Sequence, residues 1–221
     1  KSKKFGLLIA ISYLLYYPVH ATIIADFHSV SLATTFILWA WYGLEKKKYV
    51  LTTCMMLLAW FTKENVPLVT AGMGFYFFFK GDRRYGGALF VVSGLWFLTV
   101  YKVIMPFFRG GEHFAESYYS SNILVNLQRL FSEGSFTYLY ALLYPLLFIP
   151  LLAPQFLLLI APEWMIILLS SNTNMRALQY HYTALLTPFI FIALIYGLKK
   201  IKSKRVLLSL LCMVLFVQVT T

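Results

Sequence analysis

The feature that most constrains this chain is a succession of apolar runs separated by short polar segments. Hydrophobic residues make up 60% of the 221 residues, whereas a soluble domain contains about 45–50% apolar residues. A soluble fold of this length cannot bury so much apolar surface, so the solvent around the runs must be lipid. The sequence therefore predicts an all-α, polytopic transmembrane helical bundle of about seven to nine spans. The runs are roughly 5–25, 29–44, 49–62, 65–79, 85–108, 136–153, 155–170, 179–198 and 206–221.

Most of the Lys and Arg residues lie in clusters between the runs, and these clusters predict how the chain is oriented. If every run crosses the bilayer once, all the clusters fall on one face, which the positive-inside rule makes cytoplasmic. We therefore expect a multi-pass protein of a prokaryotic plasma membrane with cytoplasmic Lys/Arg-rich loops. The net charge of +11 then reflects orientation, so we expect membrane lipid and no nucleic acid as a partner. The clusters are Lys1, Lys3 and Lys4; Lys46, Lys47 and Lys48; Lys80, Arg83 and Arg84; and Lys199, Lys200, Lys202, Lys204 and Arg205.

Two adjacent runs, 49–62 and 65–79, are short for membrane spans. Each corresponds to roughly 21 Å of helix, whereas the hydrocarbon core is about 30 Å thick. They form either two short spans in a deformed bilayer or a re-entrant hairpin with Lys63 and Glu64 at its tip. The charge pattern is compatible with both arrangements.

The chain is expected to form a single transmembrane domain, 1–221, with one sizeable outward-facing loop, 109–135. Within that loop, the pattern of segment 123–131 predicts a short amphipathic helix that lies at the membrane interface. Because the chain begins at Lys1 and ends after a short apolar run from Val206, we expect it to be a piece of a longer protein.

Polar residues at the outward ends of the runs are the candidate site residues. Asp26 and His28 stand where the first run ends and the second begins. A carboxylate and an imidazole there suit a general base or a phosphate contact, although Asp26 also suits a helix N-cap. Lys63 and Glu64 lie between two short apolar runs, and ionisable residues near membrane depth are costly and often functional. The alternative is an ordinary interfacial turn.

A second set of polar residues comes later in the chain. Arg176 and His181 stand at the outward entry of the 179–198 run, where a guanidinium group suits a phosphate or pyrophosphate. Tyr180 and Tyr182 beside them fit an aromatic belt at the membrane interface. Glu163 is a lone carboxylate within an apolar run, and it marks either a functional group or a kink where water enters.

The long loop contains Glu112, His113 and Glu116, whose side chains suit a divalent cation. Their spacing matches no strong metal motif, and a solvated face of the loop is the alternative. We therefore predict no metal site and no certain cofactor, while Mg²⁺ or Mn²⁺ stays compatible with the chemistry.

Four short motifs follow one another along the chain: Asp26-Phe27-His28, Lys63-Glu64, Leu168-Leu169-Ser170-Ser171, and Tyr180-His181-Tyr182-Thr183 followed by Pro188. In this order they resemble a family of bacterial and archaeal polytopic membrane proteins of unknown function, which is similar to the GT-C glycosyltransferases. The resemblance covers most of the chain and implies a GT-C-like bundle. GT-C enzymes use polyprenyl-phosphate sugars and carry their key acid in the first outward loop. We expect this chain to lack the family's amino-terminal portion, which leaves open whether Asp26 is the family's acid or the chain lacks that acid altogether.

The resemblance implies a glycosyltransferase that moves a sugar from a polyprenyl-phosphate donor on the outward face. In this hypothesis Asp26 or Glu64 deprotonates the acceptor hydroxyl, while cationic and imidazole side chains hold the lipid phosphate. One alternative is a membrane transporter or lipid flippase that uses Glu163, and another is a non-catalytic membrane scaffold. The predicted substrate contacts are His28, Lys63, Arg176 and His181.

Overall fold

The computed structural model of the chain describes residues 3–24, 27–110 and 114–220. These residues form helices joined by turns, with no β-strand among them, which confirms the predicted all-α class. The α-helices are α1 (Lys3–Leu15), α2 (Tyr17–Ile24), α3 (Val30–Glu45), α4 (Tyr49–Trp60), α5 (Val66–Lys80), α6 (Arg83–Thr99), α7 (Met105–Arg109), α8 (Ile123–Leu130), α9 (Glu133–Leu143), α10 (Pro154–Leu158), α11 (Ala161–Leu168), α12 (Thr187–Lys200) and α13 (Lys204–Thr220). Shorter 3₁₀ segments cover Phe114–Tyr118, Tyr144–Leu146, Ile149–Leu152, Thr173–Arg176 and His181–Thr183.

Among the described residues, the helix Arg83–Phe108 alone has the length and apolar composition needed to cross a membrane. It consists of α6, a π-helical turn at Val100–Ile104 and most of α7. α4 and α5 are also apolar but shorter, about 18 and 22 Å at 1.5 Å per residue. The number of spans, and the choice between two short spans and a re-entrant hairpin at 49–79, stay predictions.

Three of the apolar runs, 5–25, 136–153 and 155–170, are divided into shorter helical pieces. Proline removes a backbone donor and its ring clashes with the preceding turn, so a regular helix is interrupted where prolines are frequent. The apolar pattern correctly predicts helical segments here, but it does not predict how short the pieces are. The breaks lie beside Pro18, Pro145, Pro150, Pro154 and Pro162.

Basic clusters from three parts of the chain lie together at one end of the molecule, called the basic end below. There the Glu45 carboxylate accepts hydrogen bonds from Lys80 Nζ and from the Tyr196 hydroxyl. Glu45 directly precedes Lys46, and Tyr196 lies one turn before Lys199 on α12. α3, α5 and α12 all end at this place and begin at the other end, called the cavity end. The side of a membrane that each end faces stays a prediction.

The core is built around α12, which is buried from Thr187 to Leu194. A helix that is apolar all round packs well only where other elements surround it. The Trp41 ring of α3 contacts Phe77 of α5, Phe156 of α10 and Phe189 of α12, with centroids 5.2, 5.6 and 6.0 Å apart. These contacts hold the four helices together and thereby position the loops at the cavity end.

α5 and α6 approach each other closely because two glycines face each other at their contact. A Cβ atom on Gly74 would meet the Phe90 nitrogen and the Gly86 carbonyl oxygen. A Cβ atom on Gly86 would in turn meet the Gly74 carbonyl oxygen and the Phe78 nitrogen. Small residues that let two backbones approach are typical of helix pairs in membranes. The contact therefore depends on the absence of side chains at these two positions.

Candidate functional site

A cavity of about 640 Å³ lies at the cavity end and is the main candidate for a binding site. Its volume falls within the range typical of small-molecule sites, roughly 300–1,000 Å³. One side of the cavity is polar and another is apolar. The polar side comprises His28, Lys63, Glu64, Asn65 and His181, and the apolar side includes Phe97, Met105, Met165, Ile166 and Leu169.

The polar side is assembled by the loop before α3, the turn between α4 and α5, and the 3₁₀ segment His181–Thr183. The Ser29 hydroxyl donates a hydrogen bond to the Thr62 carbonyl at 2.7 Å, which ties the first two of these segments together. Pro67 suits the first turn of α5, because its missing N–H needs no intrahelical partner there. The helix begins at Val66, so the non-helical turn 61–65 is short and brings its polar residues against the cavity.

Two imidazole rings and one ammonium group, with a phenol ring beside them, form what we call the basic wall of the cavity. The rings of His28 and His181 have centroids 3.6 Å apart, and the centroids of His181 and Tyr182 are 4.4 Å apart. Lys63 Nζ lies 5.3 Å from the Tyr182 ring centroid, which is within the range of a cation–π interaction. Charged and neutral donors gathered in this way suit an anionic group such as a phosphate.

Two carboxyl side chains line the cavity and a third lies behind it. Glu64 and Glu116 are lining residues, and the Tyr101 hydroxyl donates to Glu116 Oε1 at 2.6 Å. Glu163 is 2% exposed and accepts a hydrogen bond from Asn65 Nδ2 at 2.6 Å. Asn65 Oδ1 is buried and has no hydrogen-bond partner in the described parts of the chain. Because Asn65 lines the cavity, its amide group connects Glu163 to the cavity lining.

The apolar side includes a row of residues on the long helix. Phe97, Tyr101 and Met105 follow one another at intervals of four residues, and the π-helical turn Val100–Ile104 lies between the first and the last. Single π turns inside α-helices occur frequently at functional sites. This row and the basic wall give the cavity an amphipathic lining, which suits an anionic group attached to an apolar chain.

Tyr118 and Tyr119 close a further side of the cavity. The Tyr119 hydroxyl donates to the Ile166 carbonyl at 2.8 Å. Burial raises the pKa of Tyr119 to about 12, and the nearby charge of Glu163 adds to this. The hydroxyl therefore stays protonated at neutral pH and keeps this wall attached to α11.

Arg176 lines a neighbouring pocket of about 480 Å³ and not the cavity. Its Nη1 donates to the carbonyls of Leu168 and Ser170, at 3.3 and 2.9 Å. Burial, and next the charge of Arg129, lowers the pKa of Arg176. Arg129 Nη1 donates to the Leu169 carbonyl at 2.9 Å. The two guanidinium groups thus cap the C-terminal carbonyls of α11, where a positive charge is favourable.

The structure brings together four of the six predicted site residues, namely His28, Lys63, Glu64 and His181. Arg176 lies in the adjacent pocket, as described above. Asp26 lies outside the described residues, as do Glu112 and His113 of the long loop, so their roles stay predictions. Within 3–24, 27–110 and 114–220, no group of three or more His, Cys, Asp or Glu side chains is arranged to hold a metal ion.

Four polar residues of the cavity were not among the candidates from the sequence: Asn65, Tyr101, Tyr118 and Tyr119. Asn65 directly follows Lys63 and Glu64, and this adjacency was the signal that could have identified it. Tyr101 lies inside an apolar run, where a tyrosine carries no signal of its own. Tyr118 and Tyr119 belong to the long loop, whose path across the molecule is not determined by local sequence.

Comparison with known proteins gives one match. A family model described as "Predicted membrane protein (DUF2079)" matches residues 1–221. No curated protein and no solved structure matches the chain. The family description supports a membrane protein and assigns it no reaction.

Proposed function

The chain belongs to this family of predicted membrane proteins, and on that premise we propose that it is a multi-pass, GT-C-like glycosyltransferase. It transfers a sugar from a polyprenyl-phosphate donor to an acceptor hydroxyl on the outward face of the membrane. Membrane lipid surrounds it, and the lipid-linked sugar is its substrate.

The observation that supports this proposal most is that one cavity combines a basic wall with an apolar row. Lys63 and His181 provide donors for a phosphate, while Phe97 and Met105 provide apolar contacts for a prenyl chain. A free sugar phosphate has no apolar group that would contact the apolar row, and a neutral lipid has no charge that would bind the basic wall. A lipid-linked phosphate has both groups and would contact both parts of the lining.

The proposed reaction needs one base and a group of donors around the phosphate. Glu64 accepts the proton of the acceptor hydroxyl, and the acceptor oxygen forms a bond to the anomeric carbon of the sugar. The bond from that carbon to the phosphate oxygen breaks, and its electron pair stays with the polyprenyl phosphate. Lys63, His28 and His181 stabilise the additional charge on this leaving group. Asp26, two residues before His28, is the alternative base, and the scheme is compatible with Mg²⁺ or Mn²⁺ on the phosphate.

The test uses the protein reconstituted in liposomes with a panel of radiolabelled polyprenyl-phosphate sugars, and it measures donor retention and sugar transfer separately. We expect Glu64→Gln to reduce transfer about 100-fold or more while the donor is still retained, because a general base contributes to the chemical step. We expect Lys63→Ala to weaken donor retention about tenfold, since a charged hydrogen bond to the phosphate is lost.

Two matched controls remove the same chemical groups from exposed positions outside the cavity. Glu133→Gln and Lys202→Ala are expected to leave donor retention and transfer unchanged. The proposal is overturned if no donor is retained or transferred across the panel. It is also overturned if the control variants lose as much transfer as the cavity variants.

Glu163 favours a second candidate function, that of a proton-coupled transporter or lipid flippase. A buried carboxylate next to a cavity is typical of proton-binding groups in membrane transporters. This function requires proton-coupled flux into liposomes that is abolished in Glu163→Gln. Such flux without any sugar transfer would favour the transporter over the enzyme.

A further inference from the structure

α8 presents an apolar face that the other described residues leave uncovered. Ile123, Leu124 and Leu127 are 62%, 63% and 40% exposed, and Phe131, directly after the helix, is 75% exposed. At 3.6 residues per turn, these four side chains fall within an arc of about 100°. We call this set the α8 apolar face. Such a stripe on a helix normally packs against another apolar surface.

Hydrogen bonds on the other side of α8 fix its orientation, so the helix cannot turn its apolar face inward. Asn126 is 5% exposed, and its side chain exchanges two hydrogen bonds with the Ser120 backbone, at 2.8 and 2.7 Å. Arg129 Nη1 donates to Asn126 Oδ1 at 2.9 Å and to the Leu169 carbonyl at 2.9 Å. Rolling the helix would break these bonds and leave buried polar groups unsatisfied.

The occupant that fits the α8 apolar face best is the lipid of the protein's own membrane. α8 has eight residues and is about 12 Å long, so it is too short to cross a bilayer. Its apolar face also contains no charged side chain. The apolar helix Arg83–Phe108 ends in Phe107 and Phe108, which are both 80% exposed. Uncovered apolar surface is thus present on both sides of the loop that leads to α8. A helix of this pattern lies at the boundary between headgroups and acyl chains.

α8 is also connected to the cavity. The Tyr118 carbonyl accepts hydrogen bonds from Arg129 Nη1 at 3.2 Å and from the Ser171 nitrogen at 2.9 Å. Tyr118 and Tyr119 line the cavity. Arg129 therefore links α8 to this wall, in addition to the bonds that attach the wall to Ser171 and to α11.

We propose that α8 is seated in the membrane interface with its apolar face among the acyl chains, and that this seating holds the Tyr118–Tyr119 wall of the cavity in place. The partner is a lipid monolayer. The proposal does not depend on glycosyltransferase activity, so the two can fail separately.

The first experiment measures the depth of α8 in liposomes of phosphatidylcholine and phosphatidylglycerol. A spin label is attached at Leu124→Cys, in a background in which the exposed Cys54 and Cys212 are replaced by serine. Ser121→Cys, in the exposed loop before the helix, is the control. We expect the ratio of collisions with oxygen to collisions with a water-soluble nickel chelate to be about threefold or more higher at Leu124→Cys.

Two results would overturn the lipid as the occupant. One is equal access of the nickel chelate to both labelled positions. The other is shielding of the Leu124→Cys label from both reagents, which identifies a protein partner. Dipolar broadening between labels would in that case identify the partner as a second copy of the chain.

The second experiment tests the connection between α8 and the cavity, in nanodiscs that leave both membrane faces accessible. Met105→Cys, on the cavity lining, reports through its rate of reaction with a water-soluble maleimide. We expect Leu124→Ser combined with Phe131→Ser to raise this rate about threefold or more, because α8 leaves the interface and releases the wall. Arg129→Gln should raise it as well, since the apolar face is kept while the bond to Tyr118 is lost.

The matched control is Leu7→Ser combined with Leu14→Ser, which alters two side chains of α1 that are each 62% exposed. This variant should leave the reaction rate of Met105→Cys unchanged. Far-UV circular dichroism and the elution profile identify any variant that fails to fold. Unchanged rates in the folded α8 and Arg129 variants would show that the wall does not depend on α8.

Discussion

Asn65 and Glu163 are joined by a hydrogen bond, and both are buried. Asn65 is 6% exposed and Glu163 is 2% exposed. A buried carboxylate is stable only if it is hydrogen-bonded or protonated. Glu163 lies in the first turn of α11, and Asn65 directly precedes α5, so the positive ends of two helix dipoles also favour its negative charge. The pair thereby joins the turn that carries Lys63 to the helix behind the cavity.

This arrangement predicts a difference between two substitutions of Glu163. Glu163→Ala removes the acceptor and leaves the buried Asn65 amide unsatisfied, so we expect a loss of about 1–3 kcal/mol in the free energy of unfolding. Glu163→Gln keeps an acceptor oxygen and should lose less than half as much. Denaturant titration in detergent, followed by tryptophan fluorescence, measures both. Equal losses would mean that the charge, and not the hydrogen bond, holds the two helices together.

The sequence was informative for residues whose chemistry conflicts with their surroundings. Lys63 and Glu64 were predicted because ionisable groups between short apolar runs are costly near membrane depth and are therefore often functional. The contact between His28 and His181 was not predictable, since it arises from packing between segments that are far apart in the chain. Tyr101 was not predictable either, because the direction of its side chain depends on the π-helical turn.

At the scale of elements, the contact between α5 and α6 predicts that alanine substitutions at two glycines of α6 have different effects on the free energy of unfolding. Gly86→Ala places a methyl group against the backbone of α5, so we expect a loss of about 1–3 kcal/mol in the free energy of unfolding. Gly94→Ala has no atom within 4 Å of the added Cβ. It should instead be neutral or gain up to about 1 kcal/mol from the better helix propensity of alanine.

The same denaturant titration, performed on both variants, decides between these outcomes. A Gly86→Ala protein as stable as Gly94→Ala would show that the two helices separate at little cost. Apolarity and length predicted that these segments are helical. They did not predict which faces meet, because that depends on where side chains are absent.

At the scale of the whole molecule, the separation of the basic end from the cavity end predicts labelling from opposite sides of a membrane. In a background without Cys54 and Cys212, we expect Asn174→Cys to react with an impermeant maleimide added to intact cells. Lys202→Cys should react only after permeabilisation, because the positive-inside rule predicts that the basic end faces the cytoplasm. Both positions are exposed, so access to the reagent depends on the side and not on burial. Labelling of both from the same side would contradict the arrangement.

The π-helical turn Val100–Ile104 sets the angular phase between the two halves of the long helix. A regular α-helix advances by about 100° per residue, and a π turn accommodates one extra residue. Deleting Val103 should therefore restore regular geometry and leave Met105 on the same side of the long helix relative to Phe97. We expect cysteines at Met105 and at Phe97 both to keep their maleimide reaction rates in the deletion variant, and a changed rate at Met105 would contradict this. The outer part of the cavity lining should thus tolerate the loss of one residue here, because the π turn is where the long helix holds that residue in excess.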